Sequence, residues 1–212
     1  MARLQDAPIS LSPGVKRKGQ HCSGREKKFR KVGLDSSRST GDIQSEILLL
    51  EKGIQESRKN YNSIIVLLEH AKTDSPSDGR DVAAAVALYR VYCRLMIQGN
   101  LTKSMKASGA ESTIVQWLKE RLKYFEEVLL QFLQSTEPSK QITAVNLLMR
   151  LVKEKATHLV LSEDVTWRNG LFNSMLQSLA INTDVLPAIE EFVDEYVKPF
   201  DDVRYHTFAC LA

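Results

Sequence analysis

An all-helical fold is what the amino-acid sequence predicts: an irregular α-solenoid of HEAT-like helical hairpins, preceded by a disordered basic tail. Three observations carry that expectation. From residue 42 onward apolar residues recur at intervals of three and four. No segment combines strand-length alternation with β-branched enrichment, and the dipeptides that turn hairpin strands are missing between apolar runs. The net charge of +3, finally, hides a division, because residues 1–40 carry ten Lys and Arg against Asp6, Glu26 and Asp35. The other 172 residues carry 19 basic and 23 acidic side chains, so the basicity belongs to one segment.

Residues 1–41 mix Ser, Gly, Pro and basic residues with few apolar positions. Too little apolar surface is available to offset the entropy of ordering the backbone, which predicts a disordered tail. Within it Lys16, Arg17 and Lys18 form one cluster, and Lys27, Lys28, Arg30 and Lys31 form a second around Phe29. Clustered cations on extended chain suit the acidic groove of a nuclear import receptor, and equally the phosphate backbone of a nucleic acid. The chemistry alone leaves both open. With Phe29 as the only aromatic, a stacking platform for single-stranded RNA is not expected.

Residues 42–212 form the expected helical domain. Ile43, Ile47, Leu50 and Ile54 make a first stripe, and Tyr61, Ile64, Ile65 and Leu68 a second, with Asn60 as the break between them. Pro76 and Gly79 punctuate a loop over Thr73–Gly79. A third helix near Asp81 is expected to face inward with Val82, Val86, Tyr89, Cys93 and Met96, and its alanines admit a close neighbour. After a polar linker, Gly99–Gly109, the longest helix spans about 111–134, with Ile114, Trp117, Leu118, Leu122, Phe125, Leu129 and Phe132 inward. Its opposite face, Lys119, Glu120, Arg121, Lys123, Glu126 and Glu127, is expected in solvent.

Pro138 opens the next helix, to about Val160, at a position where a missing N–H costs nothing. Further helices are expected from Trp167 to Leu179, and over Leu186, Ile189, Val193 and Tyr196 until Lys198-Pro199. A last one starts at Asp201-Asp202 and reaches the end of the chain without a cap. No fixed repeat length emerges, so a compact irregular α-domain is the competing architecture.

Several function classes lack their signatures. The longest apolar run, Val82–Tyr89, is far short of the roughly 18 residues a spanning helix needs. Cys22, Cys93 and Cys210 are odd in number and far apart, which suits a reducing compartment, and no secretory signal opens the chain. His21, His70, His158 and His206 have no partner at metal-ligand spacing, so neither metal nor other cofactor is expected. Phosphate-cradling loops and the nucleophile elbow G-x-S-x-G are absent, and the expectation is no enzyme. Glu190, Glu191, Asp194 and Glu195, with Asp201 and Asp202 nearby, form the densest acidic cluster. On the outer side of an amphipathic helix this is a solvated face, and a dock for a basic partner, rather than an acid–base pair.

Two segments carry a family resemblance. Leu50-Glu51-Lys52-Gly53-Ile54-Gln55-Glu56-Ser57-Arg58-Lys59-Asn60-Tyr61-Asn62-Ser63-Ile64 resembles the start of the helical body in the nucleolar complex protein 4 family, a group of CBF/Mak21-related ribosome biogenesis factors. Tyr196-Val197-Lys198-Pro199-Phe200-Asp201-Asp202-Val203-Arg204-Tyr205-His206-Thr207-Phe208 is similar to a later segment of it. The resemblance implies a helical-repeat scaffold of the small subunit processome in the nucleus and nucleolus. The same resemblance implies a role in rRNA processing with contact to pre-rRNA, among ribosome assembly proteins and beside a nucleolar protein 14-type partner. Family members continue into a CBF/Mak21-type region not found here, so the chain is expected to be an N-terminal portion, truncated at its C-terminal end.

Overall fold

The computed structural model describes residues 40–73, 79–102, 109–159, 170–181 and 186–211. Eight α-helices and no strand occur among the described residues: α1 (Thr40–Glu56), α2 (Ser63–Lys72), α3 (Arg80–Ile97), α4 (Gly109–Leu133), α5 (Pro138–His158), α6 (Gly170–Ile181), α7 (Leu186–Phe192) and α8 (Asp201–Leu211). A single 3-10 turn, Arg58–Asn60, joins α1 to α2, and a π turn, Val193–Val197, extends α7. The basic clusters and Trp167, and with them Asn182, Thr183 and Asp184 ahead of α7, lie outside the described residues.

Local chemistry sets the boundaries. Helix α3 ends because Gly99 adopts φ +71°, where a Cβ would be strained; its N–H reaches Met96 O at 2.9 Å, and Asn100 N–H reaches Leu95 O at 2.9 Å. Those two bonds satisfy carbonyls that the helix end would leave bare. Helix α5 opens with Pro138 at its first position, as expected.

The helices stack in chain order as two layers. Helices α1, α3, α5 and α7 pack successively against one another, and α2, α4, α6 and α8 form a looser second layer against them. Polar pairings fix the directions within the first layer. Asp81 at the start of α3 meets Lys140 at the start of α5, and Glu51 late in α1 meets Arg90 and Arg94 late in α3. These helices therefore run parallel, as successive hairpins of a solenoid require. The expected α-solenoid is the observed fold.

One continuous apolar core runs between the layers, anchored by Tyr92 and Phe125, whose rings stack at 5.8 Å and 17°. Near the far end Phe172 and Phe192 meet at 6.3 Å. Three charged groups lie within this packing. Asp81 and Lys140 are both buried, 2.5 Å apart, and the Lys140 ammonium also lies 5.2 Å from the centre of the Phe132 ring. Glu51 is buried beneath Arg90 at 2.8 Å and Arg94 at 3.0 Å.

The structure corrects the expected faces of three helices. In α3 the deepest residues are Ala84, Ala85, Ala87, Leu88, Val91, Tyr92, Leu95 and Met96, while Val82, Val86, Tyr89 and Cys93 are only half-buried. The buried residues recur at intervals of three and four and make one broad face, against which α1, α2, α4 and α5 pack; the alanines form part of it, so the stripe marked by Val82, Val86, Tyr89 and Cys93 falls on the side turned away. In α4 Ile114 is exposed and Trp117 half-buried, and Val115 and Val128 join the core instead. Glu126, expected in solvent, is drawn in by Lys155 of α5 at 2.7 Å. In α2 Leu67 takes the place expected for Ile65, which is partly exposed.

Candidate partner-binding surfaces

A helical stack presents long faces, and the polar side chains that cross between helices show how those faces are built. On α5, part-buried Asn146 uses both amide protons and its carbonyl oxygen. Its Nδ2 donates to Glu191 Oε1 at 2.8 Å and to Ile142 O at 3.2 Å, and its Oδ1 accepts from the Tyr196 hydroxyl at 2.7 Å. Glu191 and Tyr196 are five residues apart, a spacing that a regular α-helix would put on different sides. The π turn, closed by Lys198 N–H to Val193 O at 2.9 Å, inserts the extra residue that turns both toward Asn146.

Around this contact burial pushes the Tyr196 hydroxyl pKa up, while Arg150 pulls the other way. Burial also raises Tyr89 and the Cys93 thiol. A thiol held in its protonated form is a poor nucleophile, so Cys93 has the character of a packing residue.

The acidic cluster divides in two. Glu190, Asp194, Glu195, Asp201 and Asp202 are exposed, whereas Glu191 is half-buried by its bond to Asn146. Asp194 pairs with Lys198 at 2.5 Å and Asp201 with Arg204, and Asp202 Oδ1 accepts the Val203 N–H at 2.8 Å. The carboxylates thus sit on an outer edge at the end of the stack. Beside them Phe200, Tyr205, Phe208 and Leu211 are all exposed, a patch that the periodicity of the sequence does not reveal.

The other end has a corner of different chemistry. Ser57 Oγ accepts the Lys59 N–H at 3.3 Å, Asn60 Nδ2 donates to Gly53 O at 2.8 Å, and Arg58 donates to Asn100 Oδ1 at 2.9 Å. Tyr61 is buried under them; burial pushes its hydroxyl pKa up, against the pull of Arg58. A cleft of about 360 Å³ opens there between Arg58, Tyr61, Arg94 and Gln98. The Ser-Arg-Lys-x-Tyr motif is therefore a turn-building set joining α1 to α2.

Among the described residues no group of three His, Cys, Asp or Glu is placed to hold a metal ion, and no helix is long and apolar enough to cross a membrane. His158 lies 3.4 Å from Glu154 in the next turn, and His206 is edge-on to Tyr205. Lys16, Arg17, Lys18, Lys27, Lys28, Arg30 and Lys31 lie outside the described residues.

Stacked helical hairpins, with polar bonds spent on joining helices, define a helical-repeat protein. Residues 36–212 match the family described as nucleolar complex protein 4-like, TPR repeats, and the chain belongs to that family. An uncharacterized protein of Schizosaccharomyces pombe is 30% identical over 159 residues, which is 74% of this chain and 32% of the relative. The chain thus spans about a third of that relative's length. No solved structure matches it.

Proposed function

We propose that this protein is a non-enzymatic nucleolar scaffold in ribosome biogenesis, serving small-subunit assembly and rRNA processing through protein contacts made by its helical stack. The observation that carries the reading is membership of the nucleolar complex protein 4-like family, whose match spans every described helix. In this reading residues 42–212 are the docking body. Residues 1–41 are a disordered leader whose clusters, Lys16–Lys18 and Lys27–Lys31, engage an import receptor. The exposed carboxylates Glu190, Asp194, Glu195, Asp201 and Asp202 face basic partners, among ribosome assembly proteins that include one of the nucleolar protein 14 type.

Affinity purification of the tagged chain from nuclear extract, with and without RNase, tests this. Small-subunit assembly proteins retained after RNase support the scaffold, and their absence from both samples refutes it. A second reading, RNA binding by the basic leader, is motivated by its ten cations among residues 1–40. Affinity carried by phosphate contacts falls steeply with salt, so deletion of residues 1–41 should abolish a salt-sensitive RNA affinity. Changing Lys27, Lys28, Arg30 and Lys31 to Ala should remove nuclear accumulation of a fusion too large to diffuse through the pore; an unchanged nuclear signal would refute the import role.

A further inference from the structure

The C-terminal ends of α1 and α3 meet at a corner where the charge balance of the helical region reverses. Across residues 41–212 acidic side chains outnumber basic ones, yet residues 51–61 and 90–100 carry Lys52, Arg58, Lys59, Arg90 and Arg94 against only Glu51 and Glu56. Those two carboxylates are already engaged. Glu51 is divided between Arg90 and Arg94, one negative charge under two positive ones, and Glu56 faces Lys52 at 3.9 Å. Arg58 is held by a neutral group instead: it donates to Asn100 Oδ1 at 2.9 Å, and Asn100 Nδ2 is fixed in turn on Gln98 Oε1 at 2.9 Å. Among the described residues no carboxylate pairs with Arg58 or Lys59.

Arg58 and Arg94 both line the cleft of about 360 Å³, and its deeper lining is apolar, made by the buried Ile54, Tyr61, Val91 and Leu95. Capping of the helix ends does not consume the guanidiniums. The last carbonyls of α3 take the N–H groups of Gly99 and Asn100, and Gly53 O of α1 takes Asn60 Nδ2. A guanidinium has five N–H donors in a planar fork, so each arginine keeps donors for an incoming anion. The adjoining chain offers none to the cleft. Beyond Asn100 it adds Lys103 and Lys106 and reaches no carboxylate before Glu111, which lines a neighbouring recess. Thr40, where the basic leader joins, is at the opposite end of α1, about 24 Å along its axis.

We infer that this cleft receives an acidic segment of a partner protein, with a carboxylate side chain against Arg58 and Arg94 and a neighbouring aliphatic side chain on Ile54, Val91 and Leu95. The cations select negative charge, as arginine clusters do for acidic peptide motifs. The apolar lining selects a chain that brings apolar side chains beside that charge, which a sugar–phosphate backbone does not. This inference rests on the scaffold reading and names one of its surfaces and the chemistry of the partner.

The test uses the full chain and fluorophore-labelled twelve-residue peptides, followed by anisotropy at physiological salt. One peptide sets leucines beside glutamates; in the other every glutamate is glutamine. The glutamate peptide should bind roughly tenfold more tightly than the glutamine peptide, and Arg58→Gln should weaken it by a similar factor. Lys59→Gln removes the same charge one residue away, outside the cleft lining, and should change affinity by less than about twofold. Gln55→Trp, at the rim, should weaken binding by occluding the cleft. All three positions are exposed, and circular dichroism should show unchanged helicity and melting. A photoreactive leucine analogue in the glutamate peptide should cross-link within residues 54–61 and 91–100. Absence of glutamate-peptide binding, or cross-links confined to residues 1–41, overturns the proposal. So do equal losses from Arg58→Gln and Lys59→Gln, since general positive charge and not the cleft is then responsible. A single-stranded RNA of twelve nucleotides whose affinity depends on Arg58 as strongly as the peptide's also overturns it, as does a concentration-dependent dimer that Arg58→Gln abolishes. Each of these failures leaves the purification result untouched, and loss of ribosomal partners there leaves the peptide result standing.

Discussion

Replacing Lys140 with Met removes the cation beneath Asp81 while keeping most of the side-chain volume, and leaves a buried carboxylate without a counter-charge. Both members of the pair are only 4% exposed and stand 2.5 Å apart, so solvent cannot compensate. Removing one partner of such a pair costs about 3–5 kcal/mol, because the remaining charge must stay desolvated or become protonated. Against a typical total of about 5–15 kcal/mol that is a large share. For a domain of this size, about 2–4 °C of melting temperature is lost per kcal/mol, which predicts a fall of roughly 6–20 °C. The double change Asp81→Asn with Lys140→Met removes both charges and should recover most of the loss. Urea titration followed by circular dichroism reads each variant, and the deficit should persist in high salt because the site is dry. A Lys140→Met protein within about 1 kcal/mol of the parent would refute the reasoning, and so would a double variant no more stable than the single one.

Three further outcomes are expected. Among the described residues the buried Tyr92 hydroxyl has no hydrogen-bond partner, so Tyr92→Phe should keep the stack on Phe125 and leave stability equal or up by about 1 kcal/mol, measured by urea titration. Burial raises the pKa of Tyr92, Tyr89, Tyr61, Tyr196 and Cys93, so the folded state holds protons that the unfolded chain releases. That contribution is complete below the ordinary thiol and phenol pKa values, and thermal melts should show stability falling as pH rises past about 9–10. Tyr196→Phe deletes the 2.7 Å bond to Asn146 and should cost about 1 kcal/mol, with faster hydrogen exchange concentrated in α7 and α8 rather than in α1–α3.

Legibility in the sequence tracked how plainly each helix marks its inward side. Helix α1 has a single inward face, and Ile43, Ile47 and Ile54 lie in the core as its stripe predicts. Helix α3 reads in the wrong phase, because part of its buried face is made of Ala84, Ala85 and Ala87, which mark an inward side less plainly than the larger Val82, Val86 and Tyr89 on the other side. Buried charges were invisible for another reason. Glu51, Asp81 and Lys140 read locally as surface residues, and only the arrival of a distant partner makes their burial tolerable. At the surfaces, the carboxylates of residues 190–202 stood out by density, but the π turn that diverts Glu191 depends on register with α5 and left no composition signal. The aromatic face of α8 was equally hidden, since Tyr205 and Phe208 look like core until the helix is seated on its other side. Both resemblance segments span corners between helices, the 3-10 turn between α1 and α2 and the turn from the π segment into α8.

Because each helix packs on those close to it in sequence, the stack can be completed in the order in which it is synthesised. Contacts between near neighbours in the chain close quickly, on the microsecond-to-millisecond scale of helical domains, whereas translation adds about 5–20 residues per second. Helices α1, α2 and α3, which pack mainly on one another, span residues 40–97 and can settle at the mouth of the ribosome before α5 is made. The Asp81–Lys140 pair joins the two halves of the stack, so it can form only once α5 has been made.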